Sequence, residues 1–222
     1  MSSIVFDIET AGENWDSLTE AEQTYLLKYS KSEEEREAEK SKLSFYPLTG
    51  KVISIAMYNP ESKRGKVFYE GDPGFKSDVD AEGFEFQTGN EAFILNEFWN
   101  TITKYQSFVT FNGRSFDGPY IMMRSMINRI KPSRNLIPNR FGTEHIDLMD
   151  TLTFYGATRK FSLDFYCRRL GIESPKSEEA SGDQVGKLYE SGKLKEIAEY
   201  NKKDTIATAQ LYELYKDFLH LK

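Results

Sequence analysis

A chain of 222 residues, 39% hydrophobic, 29% charged and 14% aromatic, is long enough for one α/β domain that buries its core without disulfides or a structural metal. Its lone cysteine, Cys167, excludes a disulfide framework and a multi-cysteine zinc site and suits a reducing cytoplasm, and no apolar run is long enough to cross a bilayer. The net charge of −6 leaves room for a nucleic-acid partner only through a local basic patch.

The chain opens on Ser3-Ile-Val-Phe-Asp-Ile-Glu9, which predicts a short strand, with no basic leader or cleavage site that would mark a secretory signal. Residues 13–46 form an acidic insert. Between Glu13 and Lys42 nine acids stand against five bases, and Leu18, Tyr25 and Leu26 recur at helical spacing, which predicts one or two exposed helices. Pro47, Thr49 and Gly50 mark a turn. Residues 52–58 and 66–70 predict a hairpin across Asn59-Pro60-Glu61-Ser62, and residues 71–90, rich in glycine and aspartate, predict a loop. Phe93, Ile94, Glu97 and Phe98 predict a helix from Asn90. A strand over 107–111 precedes a helix over 117–130 with Pro119 in its first turn, where a missing N–H costs nothing. A short strand over 146–149, a helix over 162–170 ended by Gly171 and a long amphipathic helix over 193–219 complete the chain. The order predicts a single domain over 1–222, an α/β sandwich with a mixed sheet.

Four acids stand out on this frame. Asp7 and Glu9 occupy alternate positions of a strand, so both carboxylates project from one face while Phe6 and Ile8 face the other way. Like charges so placed need a cation between them or water around them, and a solvated strand end is the alternative. Asp117 falls where a strand turns into a helix, so it is either an N-cap or a ligand. In the last helix the stripe Leu194, Ile197, Thr208, Leu211, Tyr215 and Phe218 continues through Asn201 and Asp204. An inward carboxylate there must be paired, protonated or bound to a metal, an internal lysine pair being the plainer reading. Tyr200 lies one turn before Asp204 on nearly the same face.

Taken in order, Asp7-Ile-Glu9-Thr10, then Asn112-Gly-Arg-Ser-Phe116-Asp117 with Pro119-Tyr120-Ile121, then Tyr200-x-x-x-Asp204, the motifs resemble the DEDD superfamily of 3′–5′ exonucleases. The tyrosine four residues before the last aspartate is similar to the tyrosine branch, which includes the proofreading domains of family B DNA polymerases. That resemblance implies a ribonuclease-H-like fold, a mixed five-stranded sheet flanked by helices, with the helical insert following the first strand. It implies that Asp7, Glu9, Asp117 and Asp204 hold two Mg²⁺ or Mn²⁺ ions and that Tyr200 positions the attacking water. It further implies that Thr10, Asn112 and Phe116 meet the terminal nucleotides, Phe116 by stacking. The expected activity is hydrolysis at 3′ ends of single-stranded nucleic acid, DNA before RNA. The alternatives are an exoribonuclease on the same scaffold and a catalytically idle module that holds nucleic-acid ends or a polymerase. A role in proofreading or DNA repair would call for a polymerase or repair protein as partner, since no polymerase domain fits in the remaining length.

His145-x-x-x-x-Asp150 has the spacing of the last motif in the histidine branch of that superfamily, but it sits on an expected strand, so a packed or surface histidine is the expectation. The stretch from Gly118 to Thr143 holds no acid and five bases, Arg124, Arg129, Lys131, Arg134 and Arg140. With Lys202 and Lys203 it is the expected phosphate-facing surface, a solvated loop being the alternative.

Overall fold

The alternation at the start of the chain is realised as strand β1 (Ser3–Gly12), which runs past Glu9 into Thr10 and Ala11. The computed structural model describes residues 2–174 and 183–220. After β1, the insert forms a 3₁₀ turn (Trp15–Ser17), α1 (Glu20–Leu26), α2 (Glu33–Lys40) and a second 3₁₀ turn (Leu43–Phe45). Thr19 and Glu22 close a capping box at α1, and Ser32 caps α2, whose first turn carries Glu33, Glu34 and Glu35 at its positive end. Neither helix buries a residue, as expected for a solvated face. There follow β2 (Gly50–Asn59), β3 (Arg64–Glu70), β4 (Phe84–Gly89), α3 (Glu91–Ile102), β5 (Ser107–Thr110), α4 (Asp117–Ile127) and β6 (His145–Asp147). The chain ends with α5 (Leu148–Leu152), α6 (Leu163–Leu170), α7 (Asp183–Glu190) and α8 (Leu194–Phe218).

The sheet has six strands in the order β4-β3-β2-β1-β5-β6, not the five expected. The hairpin forms as predicted, β2 pairing antiparallel with both β1 and β3, while β1/β5, β3/β4 and β5/β6 are parallel. The extra strand is β4, inside the stretch read as loop. Its signal is the alternation Phe84, Phe86, Thr88, all buried, with Glu85 and Gln87 between them. The glycines and aspartates around it belong to the connection, part of which folds back on β4 through Ser77 N to Phe86 O and Thr88 N to Phe75 O.

Each face of the sheet is covered. Ile4, Phe6 and Ile8 of β1 join Met57 and Phe68 under Ile94, Phe98 and Trp99 of α3 and Tyr120 and Ile121 of α4. On the other face Val5 and Val109 pack against Leu148 and against Ala209 and Leu211 of α8, and Ala56, Val67, Phe84 and Phe86 pack against Ala198. The odd positions of β1 therefore point toward α8, and Asp7 is among them.

One buried ion pair ties the helical layer to the sheet. Arg124 donates to both oxygens of Glu91 at 2.8 and 2.7 Å, and Glu91 also accepts from Val52 N and Asn128 Nδ2. Removing one partner of such a pair strands a buried charge, at a cost of roughly 3–5 kcal/mol. Arg124→Met is expected to lower unfolding stability by about that much in urea denaturation. A loss under about 1 kcal/mol would show that the pair is solvated in solution.

Candidate active site

Two acids come from β1. Asp7 lies opposite Ala56 and Glu9 opposite Ser54, so both face α8. The pairing slips between Glu9 and Thr10, a bulge at the last residue of the acidic pair. Beyond the bulge the Thr10 hydroxyl donates to Ser44 O at 2.8 Å, so the side chain expected at the substrate holds the insert.

From α8 comes Asp204. One oxygen from each of Asp7, Glu9 and Asp204 lies within 4.8 Å of the others, and all three residues are half-buried. Unit charges this close repel by roughly 3–4 kcal/mol per pair at an effective dielectric constant near 20. Asp7 shows the result: desolvation, followed by the charges of Asp117, Asp204 and Glu9, holds its carboxyl well above the ordinary range. One contact opposes this. Asn201 Nδ2 donates to Asp7 Oδ2 at 2.7 Å, and the Asn201 carbonyl accepts from Ser54 Oγ at 2.8 Å, so the amide is fixed with its donor toward the acids. Asn201 is fully buried. It lies on the apolar stripe of α8, which was its sequence signal.

Tyr200 projects from the same helix one turn before Asp204. Burial, then the charges of Asp204 and Glu9, a hydrogen bond to Asp204 and the Asp7 charge push its phenol well above its usual range. It stays a neutral hydroxyl at any working pH.

The fourth acid, Asp117, stands outside the 4.8 Å group, although its charge is felt at Asp7. It does not cap α4. It is the first helical residue, Phe116 holds the cap position, and no side-chain cap hydrogen bond forms. Asp117 is 3% exposed, and its Oδ1 has no hydrogen-bond partner among the described residues. Burial, with the Asp147 charge adding to it, pushes its carboxyl up to about 7.

The turn that delivers Asp117 is built on a residue the sequence did not single out. Asp147, at the end of β6, accepts Asn112 N and Arg114 N at 2.9 Å each, and Met149 N as the cap of α5. Asn112 is held at φ 65°, and a Cβ on Gly113 would come within 2.4 Å of Thr110 Oγ1, so the turn accepts only glycine there. Phe116 packs beside Tyr120 with ring centroids 5.4 Å apart. His145 is confirmed as a packing residue. It is 2% exposed, its Nδ1 faces Leu136 O at 3.2 Å and its Nε2 faces Thr110 Oγ1 at 2.8 Å. A carbonyl only accepts, so Nδ1 carries the proton and Nε2 accepts from Thr110.

Part of the expected basic surface is engaged within the fold. Arg124 pairs with Glu91, Arg134 donates to Tyr105 O and Gln106 O, Arg140 pairs with Asp150, and Lys202 pairs with Asp80, Glu82 and Glu199. Of the five bases in the acid-free stretch, Arg124 and Arg140 are thus matched to acids outside it and Arg134 to backbone carbonyls. Arg129, Lys131, Arg140 and Lys203 are exposed, Arg140 while paired to Asp150.

An all-oxygen, carboxylate-rich set, open to solvent and with a buried Asp117 oxygen that no donor among the described residues satisfies, fits a hard divalent cation.

A family model described as a predicted 3′–5′ exonuclease related to the exonuclease domain of PolB matches residues 51–221. That span takes in Asp117, Tyr200 and Asp204 and begins after Asp7 and Glu9. Among solved structures the chain is similar to the family B DNA polymerase from the hyperthermophilic archaeon Pyrobaculum calidifontis, with a TM-score of 0.61 and 15% identity over 98% of this chain. At that identity the likeness is one of fold, ribonuclease-H-like. The chain spans 25% of that polymerase's length.

Two stability measurements check the electrostatics. Folding raises the Asp117 pKa to about 7, so its charge opposes the fold above pH 7 and the penalty fades as pH falls through 7. Asp117→Asn should therefore raise unfolding stability at pH 8 in EDTA by about 1 kcal/mol or more. Added Mg²⁺ should stabilise the wild type more than the variant. A loss of stability in EDTA would make Asp117 structural. His145 has the opposite sign. Burial first, then the Arg114 charge, lowers it to about 3, so below its unfolded value near 6.5 the unfolded chain binds the extra proton and stability falls with pH. Between pH 7 and pH 5 the wild type should lose roughly 1–2 kcal/mol more than His145→Gln. Equal losses would show that His145 is not held neutral.

Proposed function

The chain belongs to the family of predicted 3′–5′ exonucleases related to the PolB exonuclease domain, and from that premise we propose that it is a metal-dependent 3′–5′ exonuclease acting on single-stranded 3′ ends, DNA foremost. The observation that carries the reading is the convergence of Asp7, Glu9 and Asp204 from β1 and α8 within 4.8 Å, with Asp117 beside them. No apolar packing accounts for four acids placed where each raises the cost of the next.

In this reading Asp7, Glu9, Asp117 and Asp204 hold one or two Mg²⁺ or Mn²⁺. Bound cations at such a site offset the charge that builds on the attacking and leaving oxygens of an in-line displacement at phosphorus. The remaining roles belong to the protein. Asn201 keeps one Asp7 oxygen engaged and so fixes the plane of that carboxylate. Tyr200, held neutral, cannot take the proton from water as a phenolate, so its hydroxyl orients the nucleophile. Asn112 and Phe116, beside Asp117 on the turn anchored by Asp147, contact the terminal nucleotides, with Phe116 offering a stacking face. Likeness to a polymerase chain favours proofreading or repair beside a polymerase as the setting.

The test is digestion of matched 5′-labelled single-stranded DNA and RNA with Mg²⁺, Mn²⁺ or EDTA. A ladder shortening from the 3′ end is expected with DNA, lost in EDTA and lost by at least 10³-fold in Asp204→Ala. Tyr200→Phe should lower kcat by about 10²–10³-fold with the metal requirement kept. Preference for the RNA ladder would reassign the substrate, and cleavage of neither would leave a module that binds ends.

A further inference from the structure

The segment that closes the insert differs from the helices before it. Residues 43–46, Leu43-Ser44-Phe45-Tyr46, carry no charge, whereas α2 alone holds five glutamates. Leu43 is buried. A Cβ on Gly12 would sit 2.9 Å from Leu43 Cβ and 3.0 Å from Ser44 N, so glycine at the end of β1 allows this turn to press onto the strand. The Ser44 carbonyl accepts two hydroxyls, Thr10 at 2.8 Å and Tyr120 at 3.1 Å, and Thr49 Oγ1 donates to Leu43 O at 3.0 Å. Thr10 follows Glu9 on β1, and Tyr120 lies one turn after Asp117 on α4. The turn is therefore pinned to β1 and α4, two of the three elements that bring acids to the site.

Between those anchors stands Phe45, 59% exposed on a backbone that is not free to fold it away. Its ring lies 6.5 Å from that of Phe116, tilted by 70°. Two rings at that angle form a corner: a flat ligand can lie on the face of one and meet the other at its edge. The ligand chemistry follows from the surroundings. The two rings themselves are uncharged, so the corner suits a π-face and not a phosphate. It abuts Asp117 through Phe116, so a strand ending at the acids passes it.

We propose that Phe45 of the insert completes, with Phe116, a two-walled subsite for a nucleobase of the strand being digested. The subsite rests on the exonuclease reading above. It gives the insert a substrate-binding role at its uncharged end while its acidic helices stay clear of the phosphates. Because stacking on an aromatic face tolerates any base, the subsite requires a base without choosing among them.

The experiment compares wild type, Phe45→Ala and Phe45→Trp on 5′-labelled single-stranded DNA and on matched strands with abasic residues at the last two 3′ positions. Phe45→Ala should raise KM on the normal strand by roughly tenfold with kcat nearly unchanged, Phe45→Trp should restore it, and the defect should vanish on the abasic strand. The melting temperature should stay close to that of the wild type, since the side chain is mostly exposed. An equal defect on both strands, a fall confined to kcat, or no defect would overturn the subsite. Anisotropy of labelled strands with Ca²⁺ in place of Mg²⁺ repeats the comparison without cleavage. If the wild type cleaves nothing yet Phe45→Ala weakens binding only to strands with bases, the exonuclease reading fails and the subsite stands. If binding too is unaffected, the subsite fails by itself.

Discussion

The crowding of carboxylates between β1 and α8 is the constraint around which the rest of the protein is arranged. A sheet face under a long helix would ordinarily be apolar, and on either side of Asp7 it is: Val5 packs on Leu211, and Ala56 on Ala198. Folding brings acids into the middle of that interface against their mutual repulsion and their desolvation, and the raised Asp7 and Asp117 carboxyls record the opposition. The apolar packing of α8 on both sides supplies the free energy that holds the acids together. A site of this kind stores a penalty that a divalent cation relieves, which couples metal binding to stability as well as to chemistry.

Keeping the acids in register requires polar supports that are themselves held by neutral groups. Asn201 is one, bridging Ser54 of β2 and Asp7 of β1 through a single amide. A lysine there would neutralise Asp7 and compete with a cation; an apolar residue would leave Ser54 and Asp7 unsatisfied. Asp147 is the other. Its two oxygens take three backbone N–H groups, which lets a buried carboxylate organise the Asn112–Arg114 turn without a salt bridge of its own. Both supports act through orientation, and both come from elements distant in sequence from the group they position.

Legibility in the sequence followed the range of the interaction. Strand alternation placed Asp7 and Glu9 on one face, and the helical stripe placed Asp204 and Tyr200 inward, because both patterns are local. The hairpin, the insert helices and the closing helix were legible for the same reason. Strand β4 was hidden by composition: a five-residue alternation lay inside a glycine- and aspartate-rich stretch whose turn residues served its flanks. Asp147 and the pairing of Arg124 and Lys202 were hidden by distance, since nothing local to Arg124 announces Glu91, 33 residues earlier, or to Lys202 announces Asp80, 122 residues earlier. A charge run read along the chain says which side chains are present, not which are already answered across the fold.

That last point bears on how a strand would be held. With Arg124, Arg140 and Lys202 paired to acids and Arg134 to backbone carbonyls, the expected phosphate-facing surface offers a strand fewer bases than its composition suggests. What is gathered at the acids instead is the Asp117 turn, the Phe116 ring with Phe45 against it, and the Tyr200 hydroxyl. On the proposed reading, cations in the site and aromatic faces beside it would together recognise a strand end. An acidic exterior then assists by disfavouring contacts along the strand that would hold it away from the site. On that reading a net charge of −6 limits contacts along the strand, which makes the few residues around Asp7 decisive.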